Sequence, residues 1–376
     1  MKIVIAIDKF KGCATAAQLT QCIDQALKKH CNNVVTCCVP IADGGDGTTQ
    51  AVATLLRYND LDVCHVVVPP PLPFLEPISA EYVIDSSTHT AYMDLATASG
   101  LALVPHAMRD VMKASTRGTG VMIADALARG AKSVVLGLGG SATCDAAMGV
   151  LEALGFRFID AHGKVLEACG ANLEMIAHVD RHDVMPQVSK TKFILLADVT
   201  NPLLGSNGAA AVFAPQKGAS PSQVVALERG VGNFSRFMPH DIITKVGAGA
   251  AGGVAAGMSA FLGAEIRQGI DYVLDLAQLD EMLTDAQLVI TGEGRIDKQT
   301  SMGKAPWGVL QAAKRHGVPV VALCGAVAAG TDVESLGFAQ VIEITPPGTP
   351  LSVAMDRNTT LANIEKAIAS LASKCD

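Results

Sequence analysis

Four times along this chain, a short apolar run that reads as a strand gives way to a glycine-rich loop loaded with polar side chains. The loops are residues 42–48 (ADGGDGT), 137–149 (GLGGSATCDAAMG), 198–208 (DVTNPLLGSNG) and 291–304 (TGEGRIDKQTSMGK). In open α/β sheets, ligands bind in loops beyond the carboxyl ends of strands. A single loop of this kind is weak evidence, because glycine also serves ordinary turns. Four of them point to parallel strands that deliver their loops to a working edge, which is an α/β arrangement.

The periodicity of the flanking segments agrees. Residues 2–7, 34–39 and 63–68 read as strands. Thr15 can cap a helix over 16–29 whose Leu19, Cys22, Ile23, Ala26 and Leu27 share one face. A second helix is expected over about 48–57. This β-α-β-α-β order predicts a parallel sheet with right-handed crossovers. Then PPPLPFLEP, residues 69–77, places five prolines in nine positions. Proline at that density cannot continue a helix or a central strand, so a domain boundary is set there. Beyond it come a hairpin (78–84 and 89–95), helices over 118–129 and 146–154, and strands at 133–138 and 192–197. From residue 287 the alternation returns, with strands at 287–291, 318–324 and 340–344 and helices over 304–316 and 357–372. The expected fold is a Rossmann-like doubly wound parallel α/β domain built from residues 1–69 and 285–376, its sheet six-stranded. A second, mixed α/β domain, 70–284, is inserted.

Composition narrows the function. The 376 residues are 49% hydrophobic and 17% charged, enough apolar material for two cores and too little charge for disorder. The net charge is −7 with no run of Lys or Arg, which argues against a nucleic-acid partner. An anionic ligand must therefore be met by local donors. The ten cysteines form no CxxC pair and read as free thiols suited to a reducing cytoplasm. The N-terminal apolar run of five residues before Asp8 is too short for a signal-peptide core. Residues 247–264 are uncharged and contain Gly253-x-x-x-Gly257. Their Gly/Ala composition reads as a tightly packed loop and helix, not a membrane span.

Each loop carries a chemical suggestion. Gly44 and Gly45 allow close backbone approach, and a helix starting at Thr48 offers free N–H groups, a combination suited to phosphate. Asp43 and Asp46 bring negative charge to the same loop. Mg²⁺ between carboxylate and phosphate resolves that conflict, or one Asp acts as a general base; Asp46 also reads as a plain helix cap. Gly139, Gly140 and Ser141 form a second anion cradle. Asp198, followed by Asn201, suits a metal or a substrate hydroxyl, or an Asx-turn. Arg295 can grip a carboxylate or phosphate in two-pronged fashion. Asp297 suits a base or Mg²⁺ ligand, and Glu293, Arg295, Asp297 and Lys304 also read as a surface ion-pair cluster. Asp8, Lys9 and Lys11 follow the first strand, where a lysine can neutralise a transferring phosphoryl group. No GxxxxGK[ST] P-loop, no HRD or DFG set and no GxGxxG after the first strand is present.

Gly-Gly-Asp-Gly-Thr is associated with NAD kinases and lipid kinases, but their downstream glycine motifs are missing at fitting distances, so that likeness reads as convergent. Taken in order, DKFKG (8–12), PIADGGDGT (40–48), STRGTG (115–120), GLGGSATCDAAMG (137–149), DVTNPLLGSNGAAAVFAPQKGA (198–219), GAGAAGGVAAGMSAFLGAE (247–265) and LVITGEGRIDKQTSMGKAP (288–306) resemble the bacterial glycerate kinase family across nearly the whole chain. The resemblance implies ATP-dependent, Mg²⁺-assisted phosphorylation of D-glycerate, leaning to the 2-position, and two α/β domains around a cleft, the middle one inserted. It implies catalytic roles among Asp43, Asp198, Asp297 and Lys11, with Mg²⁺ held by acids among Asp43, Asp198 and Asp297. Nucleotide phosphates fall to Asp8, Gly44, Gly45, Gly139, Gly140 and Ser141, and the substrate to Arg295, Arg117, Asn201 and Glu293. Three departures stand out. Lys9 replaces a usual Ser, Asp46 a usual Glu, and Cys144-Asp145-Ala146-Ala147 a usual Asn-Asp-Gly-Gly. The two alanines remove backbone freedom and are expected to narrow the loop. A kinase for another hydroxy acid or for NAD, and a non-catalytic glycerate-binding or regulatory protein, remain the alternatives.

Overall fold

The structure, a computed structural model, describes residues 1–56, 60–298 and 300–373. Its strands in chain order are β1 (Lys2–Ile5), β2 (Val35–Cys38), β3 (Leu61–Val68), β4 (Ile78–Asp85), β5 (Thr90–Asp94), β6 (Ser133–Gly137), β7 (Arg157–Ile159), β8 (His178–Asp180), β9 (Lys192–Ala197), β10 (Glu265–Gln268), β11 (Leu288–Ile296), β12 (Val320–Val327) and β13 (Gln340–Glu343). The chain divides into a terminal unit, Met1–Asp43 with Ile270–Asp376, and a central unit, Gly44–Gly269.

The terminal unit is a parallel five-stranded sheet of order β13-β12-β11-β1-β2. From β1 the chain crosses to β2 on one side, and from β11 to β12 on the other. The connections diverge between β1 and β11, which is the switch point where open sheets bind ligands. The first crossover is the helix Ala16–His30, started by a capping box in which Thr15 and Gln18 exchange bonds. Its buried Leu19, Ile23 and Leu27 pack on Ile3, Ile5 and Ile7 and on Ile364 and Ile368 of the helix Arg357–Ala372. Burying each such side chain contributes about 1.5–3 kcal/mol.

The central unit is built on a six-stranded sheet of order β10-β9-β6-β5-β4-β3, parallel from β10 to β5 and antiparallel from β5 to β3. β7 and β8 make a small antiparallel ladder. In the core Phe234 stacks on Phe261 with centroids 5.3 Å apart, and Phe158 meets Phe234 edge-on.

Two expectations are corrected. β3 does not join β1 and β2; it pairs antiparallel with β4 from Leu61↔Asp85 to Val68↔Ile78. The proline-rich stretch is therefore the long connection of a hairpin, where no backbone N–H is needed for a ladder, and not a domain boundary. The terminal sheet has five strands, and the units divide at 43/44 and 269/270 instead of 69/70 and 284/285. Residues 250–262 form a helix, but Ala251, Gly252 and Gly253 at its start are left-handed. No helix among the described residues is long and apolar enough to cross a membrane. None of the nine described cysteines forms a disulfide; Cys375 lies outside the described residues.

Candidate active site

In the terminal unit the switch point gathers acid. Asp8 follows β1 and is 9% exposed; its Oδ1 accepts from the Lys9 amide at 2.7 Å, and its own amide donates to Gly292 O of β11. Burial pushes its carboxyl up to about 7, and the charges of Asp43 and Glu293 push the same way, opposed by Lys9. Asp43, half-buried, follows β2. Glu293 lies on β11, buried, and accepts from Thr300 Oγ1 at 2.6 Å while Lys304 Nζ stands 3.4 Å away. Thr300 Oγ1 also accepts from the Asp297 amide, and Lys304 reaches Asp297 Oδ1 at 3.3 Å. Glu293, Thr300, Asp297 and Lys304 are thus one network closing the 291–304 loop. Burial holds Glu293 above the usual carboxylate range despite Thr300 and Lys304. Arg295 and Lys11 are exposed.

Among the described residues no group of three or more His, Cys, Asp or Glu is arranged to hold a metal by itself. The charges of Asp43 and Glu293 nonetheless press on Asp8, negative charge that a cation would relieve. This donor set fits Mg²⁺ shared with substrate phosphates and water, the usual habit of that ion, and does not fit an all-protein cage.

The central unit corrects the reading of its glycine loops. A Cβ on Gly44 (φ 92°) would sit 2.9 Å from the Leu196 carbonyl carbon, and one on Gly139 only 2.4 Å from Gly45 Cα. These glycines let two loops pack on one another: the Gly139 amide donates to Gly44 O at 3.2 Å. The expected anion seat at the helix Thr48–Leu55 is already filled. Asp94, at the end of β5, accepts from the Gly47 amide at 2.9 Å and the Thr49 amide at 3.1 Å. Burial lifts its carboxyl to about 6 against those bonds. Asp145 does likewise at the helix Met148–Ala153. Its Oδ2 accepts from Gly149 N, Thr116 N and Thr116 Oγ1, and burial raises its pKa. Both helix starts are thus neutralised by the protein's own carboxylates, and the loops' remaining faces must serve any ligand.

Ser141 is buried, its Oγ accepting from Lys217 Nζ at 2.7 Å. Gly140 (φ 75°) is exposed and its carbonyl accepts from Leu101 N. Ala146 (φ 48°) and Ala147 (φ 68°) hold the left-handed backbone that favours glycine. The two alanines therefore sit in a backbone conformation that strains them. Asp198 follows β9, half-buried. Asn201 donates to Asn207 O at 2.8 Å, bracing its own loop. Arg117, exposed, lies 3.4 Å from Glu152.

The charges of Asp43 and Glu293 act on Asp8 at the ends of adjacent strands, and Lys304 and Thr300 tie Glu293 to Asp297. Asp94, Asp145, Thr300 and Lys217 were not singled out from sequence. Lys217 had a signal: it is the lone charged residue between Asp198 and Glu228. Asp94 had a weaker one, an acid at the end of a strand.

A model of the glycerate kinase family matches residues 3–375. Glycerate kinase of Halalkalibacterium halodurans is 37% identical over 98% of this chain and 97% of its own length. Glycerate 2-kinase of Escherichia coli K12 is 38% identical over 87% of this chain and 86% of its own. A crystal structure provisionally assigned as glycerate kinase 2 from Salmonella typhimurium LT2 superposes with a TM-score of 0.84 at 36% identity, covering 100% of this chain and 98% of that one. The chain therefore belongs to the glycerate kinase family and is an enzyme of that kind.

Proposed function

We propose that the enzyme transfers the terminal phosphoryl group of ATP to the 2-hydroxyl of D-glycerate. The observation that carries this reading is that Asp8, Asp43 and Glu293 lie on or just after the adjacent strands β1, β2 and β11, the charges of Asp43 and Glu293 acting on Asp8, an arrangement suited to phosphoryl transfer. Kinship with a relative named glycerate 2-kinase favours the 2-position. Mg²⁺, when bound, would be held by Asp43 or Asp297 in the terminal unit or by Asp198 in the central unit, and would offset negative charge during transfer. One of those carboxylates orients or deprotonates the acceptor hydroxyl. Lys11, exposed after β1, neutralises charge on the transferring group, and Asp8 shapes the same corner. Arg295 in the terminal unit or Arg117 in the central unit offers a guanidinium group for the substrate carboxylate, with Glu293 or Asn201 as a further polar contact in the same unit. Gly44, Gly45, Gly139, Gly140 and Ser141 shape the phosphate-facing loops. Most of the acceleration then comes from positioning and charge.

Phosphorus NMR of the product from ATP, Mg²⁺ and D-glycerate tests this. A 2-phosphoglycerate resonance growing with ADP is the expected result. A 3-phosphoglycerate resonance would overturn the regiochemistry, and no glycerate-dependent ADP would overturn the acceptor.

A further inference from the structure

Lys217 is 3% exposed, at the end of a run of residues that carries no other charge. Among the described residues it makes no ion pair. Its ammonium donates instead to Ser141 Oγ and to Thr143 O, both at 2.7 Å. A buried ammonium with no carboxylate in contact is costly, and a methionine would fill the space without that cost. What the ammonium does there is fix a loop. Ser141 and Thr143 belong to the stretch whose other ties are the Gly139 amide to Gly44 O, Leu101 N to Gly140 O and the Ala142 amide to Ser99 O. Those ties are all backbone to backbone, and among the described residues Lys217 is the side chain that pins the segment from beneath. Gly218 (φ 98°) packs on the Arg109 backbone and anchors the chain that delivers it.

We propose that Lys217 is a positioning residue for phosphoryl transfer: its two charge-assisted bonds hold residues 139–143 in the one shape in which Gly140 and Ser141 can receive nucleotide phosphates, Gly139 being the packing point against Gly44 and Gly45. This rests on the kinase reading above. Lys217 does not touch substrate; it acts through the loop. Burial brings its pKa down to about 8, with the nearby Cys144 thiol and Asp145 carboxyl pulling the other way; Glu228 bears on Cys144. The ammonium is therefore lost just above neutral pH. The neutral amine keeps two donors but makes weaker bonds, charge-assisted ones being about twice as strong.

The experiment compares wild type with Lys217→Met and Lys217→Arg by kinetics with ATP and D-glycerate, thermal unfolding, and amide hydrogen exchange. Lys217→Met is expected to stay folded, to lose about 100-fold in kcat, and to raise the ATP KM by less than about threefold. Its exchange at 139–143 rises at least about tenfold, while residues 1–43 are unchanged. Lys217→Arg recovers part of kcat. Wild-type kcat falls above pH 8, and that limb is absent from Lys217→Met. A folded Lys217→Met with wild-type kcat, or with wild-type exchange at 139–143, overturns the proposal. Should Lys217→Met not fold, wild type alone decides. Exchange at 139–143, corrected for its intrinsic pH dependence, should rise several-fold between pH 7 and 9.5, and an unchanged value overturns the proposal. A wild type inactive on D-glycerate sinks the kinase acceptor reading, but the exchange measurements still judge Lys217.

Discussion

A single methyl group decides whether several loops of the central unit can form. A Cβ on Gly252 (φ 72°) would lie 2.2 Å from Thr143 O, against backbone that cannot swing aside. Gly252→Ala should therefore cost at least about 2 kcal/mol, from overpacking together with a left-handed backbone. Gly232, inside the helix Pro221–Ser235, is the control: a Cβ there meets nothing within 4 Å. Gly232→Ala should gain about 0.5–1 kcal/mol through helix propensity alone. Urea midpoints of the two variants check both signs. At this scale the sequence discloses residues whose chemistry is visible in their own neighbourhood. Asp8, Asp43 and Glu293 each end or follow an apolar run, and the charges of Asp43 and Glu293 act on Asp8 because β1, β2 and β11 are adjacent in the sheet. Lys217 and Asp94 were obscure because their partners, Ser141 and the Gly47 amide, lie far away along the chain.

Helices and strands were legible where period and caps agreed. The helix Ala16–His30 has both a one-sided apolar face and the Thr15/Gln18 box, and it was placed within a residue. β3 was recognised as a strand but assigned to the wrong sheet. Period tells a strand from a helix, but it does not name the strand's neighbour, and the proline run looked like a boundary instead of a hairpin connection. The helix Thr48–Leu55 was expected to offer its amides to phosphate, yet Asp94 holds them. Asp94→Ala should cost about 1–2 kcal/mol by uncapping that helix. Its pKa stands at about 6 in the fold against 3.8 in a free chain. Between those values the folded state keeps a proton that the unfolded chain releases, so this residue's stabilising contribution is full below pH 3.8 and is lost as pH rises through 6. Asp94→Asn should flatten that part of the pH–stability curve, measured by urea unfolding at pH 4, 5, 6 and 7. An unchanged slope would count against a buried, ionisable cap.

For the whole molecule, the sequence disclosed a middle segment set into a sheet made by both ends of the chain, but it misplaced the seams. Composition marks where proline is dense, whereas units are bounded by which strands bond to which. That arrangement has a consequence for synthesis. β1 leaves the ribosome roughly 280 residues before β11, the neighbour it must pair with. At translation speeds of about 5–20 residues per second, its apolar Ile3 and Ile5 wait on the order of 15–60 s with one edge unmatched. All of residues 44–269 emerges in that interval. Nascent chains halted before residue 288 should bind a holdase at the amino-terminal strands and release it once β11 has emerged, which cross-linking on stalled ribosomes would reveal. The slowest-maturing part of this enzyme is thus the part made first.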